Sequence, residues 1–153
     1  FVSELAAIDA PYANIMNWAG IIPFGVGVFL FAIGFFKRAH FNHFTILGGV
    51  LLAASGLGFV IAGLYQCDAG CPFEGSRSQV IHNWTAFSAF ILAFLAAIWI
   101  GVSSLWSAKR VWPLGIGLTG AAGMGWAFYH MGAGGIDHPL IGFYQRCFRY
   151  VYG

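Results

Sequence analysis

The sequence predicts an all-α fold, a polytopic bundle of transmembrane helices. Of its 153 residues, 59% are hydrophobic and only 8% are charged, whereas about a quarter of the residues in soluble chains are charged. So few charges cannot cover a surface that faces water. The apolar stretches are also apolar on every side and as long as the roughly 20 residues that a membrane helix needs. The strands of a β-barrel would instead be about ten residues long and alternate apolar with polar residues.

Four stretches are long enough to be complete spans. The first lies between Asp9 and Lys37 and has its apolar body at residues 15–36. The others cover residues 44 to about 66, about 81 to 106 with His82 at the start, and 111–130. No internal repeat divides the chain, so we treat residues 1–153 as a single transmembrane domain. Because residue 1 is not Met and the tail at 139–153 is too short to cross a bilayer, we expect this domain to be truncated at both ends.

Basic residues predict how the chain is oriented. Lys37 and Lys109 lie in the short turns that follow the first and third spans, and short cytoplasmic loops are enriched in Lys and Arg. We therefore place these two turns in the cytoplasm and the loop from Cys67 to Cys71 on the extracytoplasmic side. The expected location is the cell (inner) membrane of a prokaryote. A disulfide between Cys67 and Cys71 is allowed on that oxidising side, with two free thiols as the alternative.

Small residues at four-residue spacing predict contacts between helices, because small side chains let backbones approach each other in lipid. The two stripes of this kind are Ala54, Gly58 and Ala62 in the second span and Gly117, Ala121 and Gly125 in the fourth. Close approach of a ligand to the backbone is the alternative explanation. Ser55, Thr85 and Ser88 lie inside spans, where we expect them to bond back to helix carbonyls rather than to act as nucleophiles.

The ionisable residues are distributed unevenly between the two sides. All five acids fall on the predicted outer side, whereas the inner turns carry only basic residues and histidines. Ionisable groups in or beside a membrane are costly and are functional candidates by default. The ends of three spans are expected to bring one group of these residues into a small volume, namely His82, His130, His138, Asp68 and Asp137.

Three interpretations of this group compete. The first is a zinc site held by His82, His130, His138 and Asp68, with an open position for water. The second is a haem ligated by His82 and His130. In the third, the residues pair with each other, with backbone groups or with lipid head groups. The residues that would orient such ligands or contact lipid are Ser3, Glu4, Glu74, Asp137 and Arg146. The chain has no HExxH motif, and the third interpretation is favoured.

Three stretches resemble the membrane family catalogued as domain of unknown function 998. They are Phe-Val-Ser-Glu-Leu-Ala-Ala at 1–7 with Ala-Pro-Tyr-Ala at 10–13, the loop Tyr-Gln-Cys-Asp-Ala-Gly-Cys-Pro at 65–72 followed by His82, and Ile-Gly-Phe-Tyr-Gln-Arg at 141–146. The resemblance implies a parent protein of six helices, from which this chain lacks the first helix and most of the last. It implies no activity.

From the sequence we therefore expect an integral membrane protein of unassigned activity with an outward-facing polar pocket that binds a lipid or small amphiphile. One alternative is an accessory subunit that packs within a larger membrane complex, and another is a metal-dependent membrane hydrolase. Membrane lipids and other membrane subunits are the expected partners. A formal net charge of +2 gives no basis for binding nucleic acid.

Overall fold

The computed structural model describes residues 3–38 and 43–103, together with residues 115, 118–120, 122, 123, 125, 126 and 129. Throughout these residues all regular structure is helical and no strand occurs, as the sequence predicts. The elements in chain order are a 3₁₀ turn at Ser3–Ala6, α1 at Ala13–Ile15, a π-helical segment at Met16–Ile21, α2 at Ile22–Arg38, α3 at His43–Leu64 and α4 at Arg77–Ser103.

Three helical segments of the described chain are long and apolar enough to cross a membrane. They are Ala13–Lys37, His43–Leu64 and Arg77–Val102, with 25, 22 and 26 residues. These segments correspond to the first three predicted spans, and the chain is an integral membrane protein. The predicted fourth span at 111–130 lies mostly outside the described residues, and those residues of it that are described are helical.

The third span begins one helical turn earlier than predicted, at Arg77 rather than at about residue 81. Ser76 caps this helix, because its Oγ accepts a hydrogen bond from the backbone N–H of Gln79 at 3.2 Å. A side-chain oxygen at this position satisfies one of the N–H groups that a helix start leaves unpaired. The first turn is polar, so the apolar pattern alone places the start too late, and His82 lies in the second turn of the helix.

Helix α3 lies between α2 and α4 and packs against both. On the α2 side the backbones approach very closely at Gly56. A Cβ atom on Gly56 would lie 2.7 Å from the backbone nitrogen of Phe29 and 2.8 Å from the carbonyl oxygen of Gly25. A Cβ atom on Gly25 would in turn lie 2.7 Å from the carbonyl oxygen of Gly56. This crossing therefore requires glycine on both helices.

The α4 side of α3 carries the predicted small-residue stripe. A Cβ atom on Gly58 would lie 2.8 Å from the Cβ atom of Ala89, and Ala62 is buried. Ser55 also faces α4, because its hydroxyl donates to the carbonyl oxygen of Ala89 at 2.8 Å. The prediction that Ser55 bonds back to its own helix is therefore wrong, whereas Thr85 does so, donating to Ile81 at 2.7 Å. In the stripe predicted for the fourth span, Gly117 and Ala121 lie outside the described residues.

Aromatic contacts join the three helices near the middle of the bundle. Phe59 of α3 makes edge-to-face contacts with Phe24 of α2 and Phe90 of α4, at ring-centroid distances of 5.2 and 5.0 Å. Closer to the start of α3, Phe44 stacks on Trp99 of α4 at 5.2 Å. Edge-to-face and offset-stacked pairs are the favoured arrangements of aromatic rings.

We predict that Gly56→Ala destabilises the bundle, because its methyl group would force α2 and α3 apart. Overpacking of this kind typically costs about 1–3 kcal/mol. Gly27→Ala is the matched control, since a Cβ atom on Gly27 meets nothing within 4 Å. Thermal unfolding in detergent micelles, followed by circular dichroism, should show a lower midpoint for Gly56→Ala and an unchanged or slightly higher one for Gly27→Ala. Equal midpoints for the two variants would contradict the close crossing.

Candidate functional site

Polar groups of the described chain collect at one end of the bundle. The antiparallel helices bring the start of the first span, the end of α3 and the start of α4 to this end, which we call the loop end (residues 3–17 and 65–83). It holds every acid that the structure describes, namely Glu4, Asp9, Asp68 and Glu74. Lys37 and His43 lie at the opposite end. Within the described residues, all acids therefore lie at the loop end, together with Arg77, whereas Lys37 lies a helix length away.

Gln79 organises the loop between α3 and α4. Its side chain is fully buried at 0% exposure. The Oε1 atom accepts a hydrogen bond from the backbone N–H of Asp68 at 2.7 Å. The Nε2 atom donates to the carbonyl oxygen of Pro72 at 2.6 Å and to Oδ1 of Asn83 at 2.9 Å. One amide in the first turn of α4 thus holds the loop at two separate points.

Asn83 extends this network by one helical turn. Its Nδ2 donates to the carbonyl oxygens of Pro72 and Phe73, both at 3.2 Å. On the other side of the loop, the hydroxyl of Ser78 donates to the carbonyl oxygen of Gln66 at 2.7 Å. Backbone carbonyls in a loop at a membrane boundary need such partners, because unpaired polar groups are costly away from water.

The carboxylate of Asp68 closes the loop against Ser76. Its Oδ2 accepts the backbone N–H of Ser76 and its Oδ1 accepts the Ser76 hydroxyl, both at 2.7 Å. These two bonds, the backbone one first, lower the pKa of Asp68 below its ordinary 3.8. Gly75 leaves room for this carboxylate, since a Cβ atom there would collide with Oδ2 unless the Asp68 side chain shifted.

A disulfide joins Cys67 and Cys71, as the sequence allowed, with 5.2 Å between the Cα atoms. The three residues between them form a turn, and the N–H of Cys71 donates to the carbonyl oxygen of Asp68 at 2.9 Å. Both Gly70 and Cys71 have positive φ angles, 76° and 46°. Such angles are easy for glycine and strained for other residues.

The N-terminal segment packs on this disulfide. The N–H of Ile8 donates to the carbonyl oxygen of Cys67 at 2.9 Å. The Sγ atom of Cys67, which is buried, lies 3.2 Å from the carbonyl oxygen of Ser3. The N-terminal segment is thus fixed to the loop at Ser3 and at Ile8.

Asn17 fastens the same segment to the first span. It lies in the π-helical segment, is only 1% exposed, and donates from Nδ2 to the carbonyl oxygens of Ala6 and Ala13, each at 2.9 Å. Because both partners can only accept, the nitrogen of the amide must face them. Its Oδ1 is buried and has no hydrogen-bond partner in the described part of the chain.

His82 caps the end of α3. It is 4% exposed, and its Nδ1 lies 2.8 Å from the carbonyl oxygen of Ala62 and 3.0 Å from that of Tyr65. Carbonyl oxygens only accept hydrogen bonds, so the proton must be on Nδ1. Nε2 is then the only ring nitrogen of His82 able to bind a metal.

The predicted metal and haem sites extend beyond the described residues. His82 and Asp68 both lie at the loop end, whereas His130 and His138 fall outside the described chain, as do Asp137 and Arg146. Within the described residues, no group of three His, Cys, Asp or Glu side chains is placed to hold a metal ion. Both sites therefore stay predictions.

Other residues predicted to orient ligands or contact lipid are distributed across the loop end. Ser3 and Glu4 are in the 3₁₀ turn, and Glu74 is exposed in the loop. The two residues that hold the site together, Gln79 and Asn17, were not among the candidates. Asn17 is an amide in an otherwise apolar stretch, which hydropathy averages away, whereas Gln79 lies in the polar segment that precedes the apolar run.

A comparison with known families identifies the family to which this chain belongs. The profile of the family described as "Protein of unknown function (DUF998)" matches residues 1–152. The chain belongs to this family. The match confirms the resemblance carried by the segments at 1–13, 65–72 and 141–146, and the family description names no activity. No curated protein and no solved structure is significantly similar to the chain.

The lowered pKa of Asp68 predicts an acid-sensitive loop in this DUF998 protein. A carboxylate whose pKa is lower in the folded state stabilises that state above its unfolded pKa, and the contribution is lost as pH falls through the folded pKa. Hydrogen exchange at Ser76, corrected for its intrinsic rate, should thus stay slow from pH 7 to about 4 and accelerate below pH 3.8.

The matched variants are Asp68→Asn and Glu74→Gln. Asp68→Asn should already exchange several times faster at Ser76 at neutral pH, because an amide is a weaker acceptor than a carboxylate. Glu74→Gln should behave like the unaltered chain. A pH profile that Asp68→Asn leaves unchanged would contradict the role of this carboxylate.

Proposed function

We propose that this protein binds a lipid or small amphiphile at the loop end of its helix bundle. The observation that carries the proposal is the Oδ1 atom of Asn17, a buried hydrogen-bond acceptor without a partner in the described chain. Leaving such a group unpaired costs about 1–3 kcal/mol. A ligand with an O–H or N–H group would remove this cost, which gives the site a preference for molecules with a polar, hydrogen-bond-donating head.

The surroundings of Asn17 suit the rest of an amphiphile. Ile15 and Trp18 are exposed on the same helical segment, so an acyl chain or other apolar tail would lie against them. Access to Oδ1 requires a small shift of the segment that covers it. That segment is held by the Ile8–Cys67 backbone bond, by the contact of Cys67 Sγ with Ser3 and by the bond from Asn17 to Ala6. These contacts can open and close reversibly.

The proposal predicts that lipid stabilises the protein through Asn17. In micelles supplemented with phosphatidylethanolamine and phosphatidylglycerol, thermal unfolding of the unaltered chain should shift to higher temperature, and native mass spectrometry should show retained lipid. Asn17→Ala should weaken lipid retention about twofold to twelvefold, as expected for one lost hydrogen bond of roughly 0.5–1.5 kcal/mol.

Asn14→Ala is the control, because Asn14 is exposed in the same helical segment. The lipid-induced shift is compared with each variant's own lipid-free midpoint, which separates binding from any loss of fold. Equal shifts for Asn17→Ala and Asn14→Ala, or no lipid on the unaltered chain, would overturn the proposal.

We also propose a membrane arrangement that goes beyond the three described spans. Residues 111–130 form a fourth span, and the parent protein has six. The Lys37 and Lys109 turns face the cytoplasm and the disulfide loop faces outward, in the cell membrane of a prokaryote. The separation of Lys37 from the acids of the loop end, together with the positive-inside rule, supports this orientation.

A second candidate, a metal-dependent hydrolase, is favoured by the geometry of His82. Histidines that bind metals almost always donate the N–H of their other ring nitrogen to a carbonyl or carboxylate. Nδ1 of His82 is bonded in this way to Ala62 and Tyr65, which leaves Nε2 as the ligating atom. His130, His138 and Asp68 would complete a zinc site that activates water.

Metal analysis of the purified protein tests this candidate. One equivalent of zinc per chain is expected, lost in His82→Ala and kept in His43→Ala, whose histidine is exposed at the opposite end of the bundle. Zinc-free protein would exclude the hydrolase. Zinc-free protein that co-purifies with one fixed membrane partner would favour instead the accessory subunit.

A further inference from the structure

Phe73 is held in an exposed position by a rigid loop. At 90% exposure it is the most exposed large apolar side chain that the structure describes. The loop around it is firmly held, because Asn83 donates to the carbonyl oxygens of Pro72 and Phe73, and Gln79 donates to that of Pro72. The fold therefore presents this ring at a fixed place on the surface.

The helix lengths give the depth of Phe73 relative to the membrane. Helix α3 has 22 residues, which at about 1.5 Å per residue is roughly 33 Å, close to the hydrocarbon thickness of about 30 Å. Leu64, its last residue, thus lies near the boundary of the hydrocarbon. The hydrogen bond between His82 and the carbonyl oxygen of Ala62 places the second turn of α4 at the same depth in the membrane. Asn83, and the Phe73 backbone bonded to it, therefore lie at this boundary.

The surface beside Phe73 is continuous with an exposed apolar face of α4. Val80, Trp84 and Phe87 are exposed and follow each other at the spacing of one helix face. This face lies next to Asn83 along the helix. Trp84, at 67% exposure, lies near the start of the span, where tryptophan marks the interface between lipid and water.

We propose that Phe73 inserts into the interfacial layer of the bilayer that this chain spans, and so anchors the loop at 72–76 to the membrane surface. Glu74 and Arg77, which follow Phe73 in the chain, are exposed and stay among the head groups. Lipid is the partner that the depth favours, since a ring at the hydrocarbon boundary and beside an exposed apolar helix face is within reach of acyl chains. This contact is independent of ligand binding at Asn17.

Photo-crosslinking tests the proposal directly. Phe73 is replaced by p-benzoylphenylalanine in the full chain, which is reconstituted in vesicles of phosphatidylethanolamine and phosphatidylglycerol and irradiated. Mass spectrometry should find lipid adducts on the peptide that contains residue 73. The control places the same group at Glu74, where the yield of lipid adducts should be several times lower. Size-exclusion profiles and melting midpoints verify that both variants are folded.

Two results would overturn the anchor. One is a lipid-adduct yield at residue 73 that does not exceed the yield at residue 74. The other is crosslinking at residue 73 mainly to a second copy of the chain or to another protein, which would make Phe73 part of a protein interface.

Discussion

The close approach of backbones along α3 is the constraint on which the rest of the structure depends. In a bilayer, helices are surrounded by a solvent as apolar as their own side chains, so packing and hydrogen bonds must hold them together. Gly56 on one side of α3 and Gly58 on the other allow that packing. Because glycine contacts fix the axial positions of neighbouring helices, they also decide which helix ends meet. The loop end, with His82 level with Ala62, is a result of this register.

Side-chain amides and one imidazole supply the hydrogen bonds that the backbone carbonyls at that end would otherwise lack. Helices leave unpaired carbonyls at their last turn, and the boundary of a membrane offers less water to satisfy them. His82 donates a hydrogen bond to two carbonyl oxygens at the end of α3. Gln79 and Asn83 donate to carbonyl oxygens of the loop. The same residues make the loop rigid. Function at this end, whether lipid binding or metal chemistry, would therefore act on a preformed surface, with the covering N-terminal segment as its adjustable part.

The sequence predicted the fold well and the site only in part. Long apolar stretches identify membrane helices reliably, because the bilayer imposes their length and excludes open strands. The stripe containing Gly58 can also be predicted from the sequence, because its four-residue spacing follows from the geometry of a single helix. The contact of Gly25 with Gly56 cannot be predicted, because nothing in the sequence around either glycine shows which helix it packs against.

Polar residues were harder to interpret. The segregation of acids to one side was visible from the sequence, and Cys67 and Cys71 were recognisable as a pair. Gln79, however, looks like a loop residue because it precedes the apolar run, and only the N-cap at Ser76 shows that it is helical. Ser55 illustrates a similar limit, as its hydroxyl reaches across to α4 rather than along its own helix.

The π-helical segment at Met16–Ile21 has a consequence for how this family can vary in length. Here the N–H of Ile22 bonds to the carbonyl oxygen of Asn17, five residues back, so the segment accommodates one more residue than an α-helix would. Each residue turns an α-helix by about 100°. A one-residue deletion in this segment would restore α-helical geometry and rotate everything before it around the helix axis, swinging the N-terminal turn away from the disulfide. Homologous chains that keep this architecture should therefore keep the number of residues between Asn17 and α2 constant, even where the amino acids at these positions differ.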